Sequence, residues 1–387
     1  MKEKDINLVV FVRDYPIGMA GTKRVHNFLE YLNRQNININ VISLRSQIRQ
    51  PSLKGVYKGI QYIAVGNELK MKLSKTPSLI SYYFRGLSSI SSLRKKGYKN
   101  IVYNSGGISI ENLLFILWAK IIGYKIILAI EEDYTYFKDN IKLISRFKFW
   151  TVRKLDFFNS RLAEAIVVIS HHLKEKYINL KSKTVILIPV TAKLNFNQQK
   201  NTFNTPLQII YAGSFADKDG VKDIIEGFMA FNKEFPASNL ILTGDSEQKK
   251  YYQEKYEDEK SIVFRGFVQD DEFYNLIRDA DVLCMCRTES GFANSGFPFK
   301  LGEYLATGNP VICTKVSDVQ YYLDEKDAFL IEPGKPALIY ESLVEIIKNP
   351  AAAREKGLNG MKKCQMYFSP EHNGAKLFNL ICSLLST

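Results

Sequence analysis

Short apolar runs recur along this chain and alternate with longer segments in which apolar positions return every three or four residues. In the first half the runs fall at 7–12, 39–44, 60–64, 101–103, 125–130, 165–169 and 184–188. They are apolar at nearly every position, which predicts strands covered on both faces rather than strands with one wet side. Between them, "TKRVHNFLEYLNRQ" and "SISSLRKKG" carry helical spacing. After the polar stretch "TAKLNFNQQKNTFNTP" the pattern restarts, with strands predicted near 208–212, 239–243, 262–264, 281–285, 311–313 and 328–331 and helices at about 220–234, 270–278 and 298–307. Twice-repeated alternation of this kind predicts two α/β layers, each a mostly parallel sheet with helices on both faces. Ligands of such sheets bind beyond the carboxyl ends of the strands, and the cleft between two such domains is the default site.

The longest apolar stretch, "LLFILWAKIIGYKIILAI", is interrupted by Lys120, Gly123 and Lys125. It parses as a helix to about residue 121, a turn at the glycine and a core strand at 125–130, not as a membrane span. The charged lead "MKEKD" runs straight into the strand "INLVVFV" without a signal peptide's apolar segment, so a cytoplasmic protein is expected. Its 387 residues, 46% hydrophobic, exceed one ordinary core and fit two domains. Five cysteines form no disulfide framework or metal-ligand spacing, which points to a reducing compartment without structural zinc.

Charge divides the chain unevenly. Residues 1–200 hold 33 Lys and Arg against 13 Asp and Glu, a net of +20, while the remaining 187 hold 20 against 27, a net of −7. A basic half suits nucleic acid, an anionic membrane or an anionic substrate. Nucleic-acid modules have no signature here: no paired zinc-finger spacing, no RNA-recognition motif and no basic region followed by heptads.

Candidate chemistry sits at the predicted strand ends. After the first strand, "RDYPIGMAGTKRV" places Gly18 and Gly21 before a helix expected near Thr22, where backbone can approach a ligand and helix amides can face an anion. Pro16 breaks the dinucleotide G-x-G-x-x-G pattern. The second half opens with "QIIYAGSFADKDGVKDIIEGF", where Gly213 and Ser214 turn the chain and Lys218 precedes Gly220 and a helix. A cation with free amides beside it can clamp a diphosphate. This is not the nucleoside-triphosphatase loop, because no Gly-Lys-Ser/Thr follows. In "GFPFKLGEYLATGNPV", Pro298 opens a short helix carrying Lys300 and Glu303, which by spacing alone are equally an exposed i,i+3 ion pair.

The ordered series "YAGSFADKDGV", "LTGD", "VFRGFV", "ADVLCMCR" and "GFPFKLGEYLATGNPV", over about residues 207–315, resembles the nucleotide-binding domain of group 1 glycosyltransferases, the large retaining family 4. "PIGMAG" and "AEAIVVISHHLKEKY" match its first domain more loosely. The resemblance implies a GT-B fold: two facing Rossmann-like domains, residues 1–198 for the acceptor and 199–367 for a nucleotide diphosphate sugar. The last helix, 368–387, crosses back to complete the first domain. It implies that Glu303 accepts from the ribose hydroxyls, that Lys300 and Lys218 face the diphosphate, and that Gly266 and Phe267 hold the base. The helix start at Phe297, Pro298 and Leu301 faces the sugar and phosphate, and Arg287 serves the phosphate or domain closure. The family's first glutamate is Ser295 here, so the sugar hydroxyls fall to Ser295, Asn294 or the amides of Gly296 and Phe297. Glu132, within the acidic cluster 131–133, is expected to orient the acceptor hydroxyl or the donor sugar.

The implied activity is sugar transfer with retention to a glycan or lipid-linked acceptor in bacterial surface polysaccharide synthesis. Neither a metal nor a resident cofactor is expected, nor nucleic acid as a partner. The basic, aromatic segment "ISRFKFWTVRKLDFF" suggests contact with an anionic membrane at its cytoplasmic face. A sugar-nucleotide epimerase of the same fold would need a denser set of acids and bases, and a non-catalytic nucleotide-sugar binding protein would bind without turnover.

Overall fold

A parallel strand between two helical layers has no polar face, and for that reason the apolar runs of this chain are continuous. The computed structural model describes residues 5–18, 20–44, 52–66, 76–107, 110–136, 143–180, 183–193, 202–268 and 270–386. The chain divides into two units, Met1–Thr191 with Pro370–Thr387, and Ala192–Ser369.

Unit 1 runs β1 (Ile6–Val12), α1 (Ala20–Arg34), β2 (Asn38–Ser43), β3 (Lys54–Tyr57), β4 (Ile60–Ala64), α2 (Thr76–Leu93), β5 (Lys99–Ser105), α3 (Ile110–Ile121), β6 (Lys125–Ile130), α4 (Leu143–Leu162), β7 (Ala165–Val168), α5 (His171–Ile178) and β8 (Thr184–Leu187). The sheet order is β3-β4-β2-β1-β5-β6-β7-β8, parallel except for β3. Every residue of β1 is buried, including Asn7. That polar side chain is tolerated because Asn7 donates to Asn100 Oδ1 at 2.7 Å and to the Leu93 carbonyl, and accepts from Asn38. These asparagines are register partners across β2, β1 and β5, so the ladder penalises any slip of the central strands.

Two local readings of the sequence need correction here. β3 was not anticipated, because its alternation of exposed and half-buried residues lacks an apolar run. It pairs with β4 through a two-residue turn at Lys58 and Gly59, both at positive φ, which is the backbone a tight hairpin requires. The helix read at 89–97 ends at Leu93. Asn100 stops it by accepting from the Lys95 amide and donating to the Lys95 and Tyr98 carbonyls.

Unit 2 runs β9 (Leu207–Ala212), α6 (Val221–Glu234), β10 (Ser238–Thr243), α7 (Glu247–Lys255), β11 (Ile262–Arg265), α8 (Asp270–Arg278), β12 (Val282–Met285), α9 (Gly291–Ser295), α10 (Phe299–Ala306), β13 (Val311–Thr314), α11 (Val319–Tyr322), β14 (Phe329–Ile331), α12 (Pro336–Lys348) and α13 (Pro350–Phe368). Its sheet, β11-β10-β9-β12-β13-β14, is parallel throughout. Strand order reverses between β9 and β12, and at such a switch point the flanking loops diverge and leave room for a ligand. The buried carboxylate of Asp281 receives the amides of Asn204 and Gln208, fixing the entry to β9 against that of β12.

The last helix, α14 (Pro370–Ser386), packs on α1 and places Leu377, Leu380, Ile381, Leu384 and Leu385 in the core of unit 1. Asn373 donates to the Val190 carbonyl, which ties its first turn to the end of the first segment. Ile381 is fully buried. Ile381→Ala is therefore expected to destabilise unit 1 by about 2–5 kcal/mol, as for other buried Ile truncations. Thermal melts followed by circular dichroism would check this, and an unshifted transition would mean that α14 contributes little to the core.

Candidate active site

Close backbone contacts assemble the carboxyl edge of the unit 2 sheet, and at Gly220 and Gly244 only glycine allows them. The Gly213 amide donates to the Thr243 carbonyl at 2.9 Å, and Thr243 Oγ1 and the Gly244 amide both donate to the Gly266 carbonyl. The loops after β9, β10 and β11 are thus fastened side by side. Gly220, the last residue before α6, has φ +61°, and a Cβ there would lie 1.8 Å from the Cys286 carbonyl oxygen at the end of β12. The intervening loop is closed by Asp219, which accepts from Ser214 Oγ at 2.7 Å and from the Ala216 amide. It is also joined to the loop after β12, since the Thr288 amide donates to the Lys218 carbonyl at 3.0 Å and Thr288 Oγ1 to that of Asp217.

Beyond β12, Arg287 is 9% exposed; its Nη1 donates to the Ala293 carbonyl and its own carbonyl accepts from Thr314 Oγ1. Ser290 caps α9 by accepting from the Ala293 amide. Asn294 accepts from the Ser317 amide, and Ser317 in turn donates to the Gly296 carbonyl. Ser295 is 1% exposed and its hydroxyl donates to the Phe292 carbonyl. Phe297 is buried against Tyr322 and Phe368. Pro298 stands at the N-cap of α10 without a side-chain cap, and its carbonyl accepts from the Leu301 amide at 3.1 Å.

On α10, Leu301 is fully buried and Glu303 nearly so. Tyr304 is the link that sequence reasoning missed: its buried hydroxyl accepts from the Ala212 amide at 2.8 Å, which binds α10 to the last residue of β9. In the sequence it is one more aromatic at a helical core position, and only the fold shows that its tip reaches the neighbouring strand. Lys218 Nζ lies 4.5 Å from the centre of the Phe292 ring, and Lys300 Nζ lies 5.6 Å from that of Phe273. Phe267, after Gly266, is 46% exposed beside the end of β11. Lys218, Arg287, Asn294, Ser295, Gly296, Phe297, Pro298, Lys300 and Glu303 therefore share the loops and helix starts that meet at the β9/β12 switch point, with Gly213, Ser214, Gly266 and Phe267 on the adjoining loops.

In unit 1 the corresponding edge is built around acids. Helix α1 starts at Ala20, earlier than the expected Thr22, so Gly21 lies in its first turn rather than in the loop. A Cβ on Gly21 would sit 3.1 Å from Glu131 Oε2, and one on Gly18 would meet Thr22 Oγ1 at 2.1 Å. Arg24, 1% exposed, donates to Glu131 Oε1 at 2.9 Å and to the carbonyls of Ile188 and Pro189. Burial pushes the Glu131 carboxyl up, against the pull of Arg24 and Ser105. Asp133 accepts from Lys176 Nζ at 2.8 Å, from Thr135 through amide and hydroxyl, and pairs with His172 at 3.1 Å. Burial by itself would raise its carboxyl, but these hydrogen bonds bring it down to about 2. Glu132, between these two anchored acids, is half-buried. Arg24 and Lys176 lie in stretches singled out in the sequence, but nothing in their spacing marks them as partners of Glu131 and Asp133.

Residues 206–349 match the family model described as glycosyl transferases group 1, so unit 2 carries a domain of that family. The alpha-monoglucosyldiacylglycerol synthase of Acholeplasma laidlawii is 26% identical over 149 residues, 38% of this chain and 34% of the relative. The chain thus aligns with about a third of that relative's length. Among solved structures, a sucrose-phosphate synthase from Thermosynechococcus elongatus superposes with a TM-score of 0.72 at 16% identity, covering 98% of this chain and 99% of that one. Anabaena HepE in complex with UDP and glucose gives 0.72 at 12% identity, covering 98% and 100%. The two Rossmann-like units are those of the GT-B fold.

Gly220→Ala is expected to cost about 1–3 kcal/mol for the left-handed backbone alone, with the contact to Cys286 adding to it; an unchanged urea midpoint for unit 2 would show that the loop can move away. A second expectation concerns Asp133, whose folded pKa lies below its ordinary value near ~3.9. Its hydrogen bonds stabilise the fold in full above about pH 4 and are lost as pH falls through about 2. Asp133→Asn should lower stability at neutral pH by about 1–3 kcal/mol and flatten the acid limb of a melting-temperature profile. The same acid limb in both proteins would mean that the network carries none of it.

Proposed function

We propose that this chain is a retaining glycosyltransferase that takes a sugar from a nucleotide diphosphate sugar and adds it to a glycan or lipid-linked acceptor of the bacterial cell surface. The observation that carries the reading is the union of three elements at one switch point. The Lys218 loop is bonded to the loop after β12 through Thr288, and α10 is bonded to the end of β9 through Tyr304. The group 1 domain match and the HepE structure with UDP and glucose supply the ligand class.

The chemistry follows from charge. Breaking the bond between the sugar C1 and the β-phosphate oxygen leaves negative charge on the diphosphate, which Lys218, Lys300 and the first amides of α10 would stabilise. The acceptor oxygen forms the new bond to C1, and its proton passes to an oxygen of the departing phosphate. Departure and attack on one face of the sugar retain its configuration. Glu303 would accept from two vicinal ribose hydroxyls, which suits a carboxylate with two oxygens. The Ser295 hydroxyl already donates to Phe292, so the amides of Gly296 and Phe297 are the better readers of the sugar. Glu132 is the acid of the 131–133 cluster assigned to the acceptor. We assign no resident cofactor or metal, and place the enzyme at the cytoplasmic face of the membrane.

Calorimetry with UDP and GDP tests the donor site. Lys300→Ala or Glu303→Ala should weaken binding by about 1.5–3 kcal/mol, the cost of a lost charge-assisted hydrogen bond. Equal affinities in folded variants would sink the assignment. Incubation with UDP-glucose and other nucleotide sugars, followed by NMR of the product anomer, tests transfer and retention separately. An inverted linkage would overturn retention alone, and donor epimerisation without transfer would overturn the activity.

A further inference from the structure

Helix α4 presents two contrasting faces. Inward, Val152, Leu155 and Asn159 are buried, and Asp156 accepts from the Tyr177 hydroxyl of α5. Outward, Trp150, Arg153, Lys154, Phe157, Phe158 and Arg161 are all exposed, the three aromatic side chains by 56%, 47% and 55% respectively. With 3.6 residues per turn these six positions fall within an arc of about 140°. The sole acid among residues 150–162, Asp156, is the one turned inward, so the outer arc is cationic and aromatic with no carboxylate. The expected contact through "ISRFKFWTVRKLDFF" included Arg146 to Phe149, whose side chains lie outside the described residues; the face defined here begins at Trp150.

Its geometry matches one surface chemistry. The Arg161 guanidinium lies 3.5 Å from the centre of the Phe157 ring, and Lys154 Nζ lies 6.0 Å from that of Trp150. Two of the three aromatic bodies thus carry a cation at their side, the arrangement in which rings enter the boundary of headgroups and acyl chains while cations stay with the phosphates. Neighbouring helices continue the apolar exposure, because α3 packs between α2 and α4, and Phe84 of α2 and Ile121 of α3 are each 73% exposed. Among the described residues no helix is long and apolar enough to cross a membrane, so the contact would lie in the plane of the surface.

We propose that the outer face of α4 docks unit 1 on an anionic phospholipid bilayer. The proposal rests on the functional reading above and gives it a membrane partner and a named surface. Arg153 connects that surface to the acidic loop: its Nη2 donates to the Thr135 carbonyl at 3.2 Å, and the Thr135 amide and hydroxyl donate to Asp133. A lipid-linked acceptor held at the headgroup level would then reach the loop carrying Glu132 without leaving the bilayer.

The test is co-sedimentation of the full chain with vesicles of phosphatidylcholine alone or mixed with phosphatidylglycerol, at low and high salt. Binding to the mixed vesicles only is expected. Lys154→Gln with Arg161→Gln should weaken it by about tenfold to thirtyfold, from the contribution of about 1 kcal/mol per cation at an anionic surface. Phe157→Ser with Phe158→Ser should remove what binding survives at high salt, while thermal melts confirm that both variants fold. Equal binding by all three folded proteins, or none by the unaltered chain, would overturn the proposal. So would a dimer in sedimentation equilibrium that only the Phe157→Ser/Phe158→Ser variant dissociates, since that would make the face a contact between copies. Nucleotide binding, measured in parallel, separates the two readings: vesicle binding without nucleotide affinity leaves the docking face standing and removes the transferase, and the reverse result does the opposite.

Discussion

The contact of Gly220 with the Cys286 carbonyl is the constraint from which the unit 2 site follows. Without a side chain at Gly220 the β9 loop can lie directly against the end of β12, and only then does the Lys218 carbonyl come within hydrogen-bond distance of the Thr288 amide. Thr288 and Ser290 in turn set where α9 begins, and the short chain from Ser295 to Pro298 sets where α10 begins. A larger residue at position 220 would separate the two loops by the width of a methyl group at least, and each later element would inherit the displacement. Gly244 repeats the same principle between β9 and β10, since a Cβ there would lie 1.9 Å from the Gly213 carbonyl oxygen. Close approach of backbone, pinned by the hydroxyls of Thr243, Thr288 and Tyr304, is what brings the loops into register.

How much of this could be read beforehand depends on the kind of force involved. Burial on both faces writes itself as continuous apolar runs, so thirteen of the strands were legible and their boundaries fell within a few residues. β3 was not, because it lies at the edge of the sheet and its pattern is set by a hairpin turn rather than by burial. The end of α2 was missed for a similar reason, since the side chain of Asn100, seven residues beyond it, outweighs the helical spacing of "SISSLRKKG". At the candidate site the glycines and the Lys300/Glu303 pair stood out as types in a series. The bonds of Tyr304 to β9 and of Arg24 to Glu131 did not, because they join positions 92 and 107 residues apart that have no pattern in common.

The two units also solve opposite electrostatic problems. Unit 1 is drawn from the basic half, yet the acids at its carboxyl edge are the groups most tightly held. Glu131 is fixed by a buried arginine that also closes two backbone carbonyls, and Asp133 by a lysine, a histidine and a threonine. Isolated carboxylates at such depth would be costly, and the surrounding hydrogen bonds outweigh that cost at Asp133 and offset part of it at Glu131. Fixing the acids on both sides of Glu132 also fixes the backbone from which it projects. That rigidity is what the acceptor-positioning role proposed for Glu132 would need, since a displacement of about 1 Å can cost a hundredfold in rate.

In unit 2 the cations are held differently, and the magnitudes explain why. A lysine beside a phenylalanine ring gains only about 0.5–1 kcal/mol where water still reaches the cation, whereas a charge-assisted hydrogen bond to a phosphate is worth about 1.5–3 kcal/mol. Phe292 and Phe273 can therefore narrow the positions open to Lys218 and Lys300 without competing with an anion for them. A carboxylate in the place of either ring would hold its lysine more firmly, but the anion would then have to displace a like charge. Aromatic support is a weak tether, and for cations in the role proposed for Lys218 and Lys300, which would exchange partners on each turnover, a weak tether is the better one.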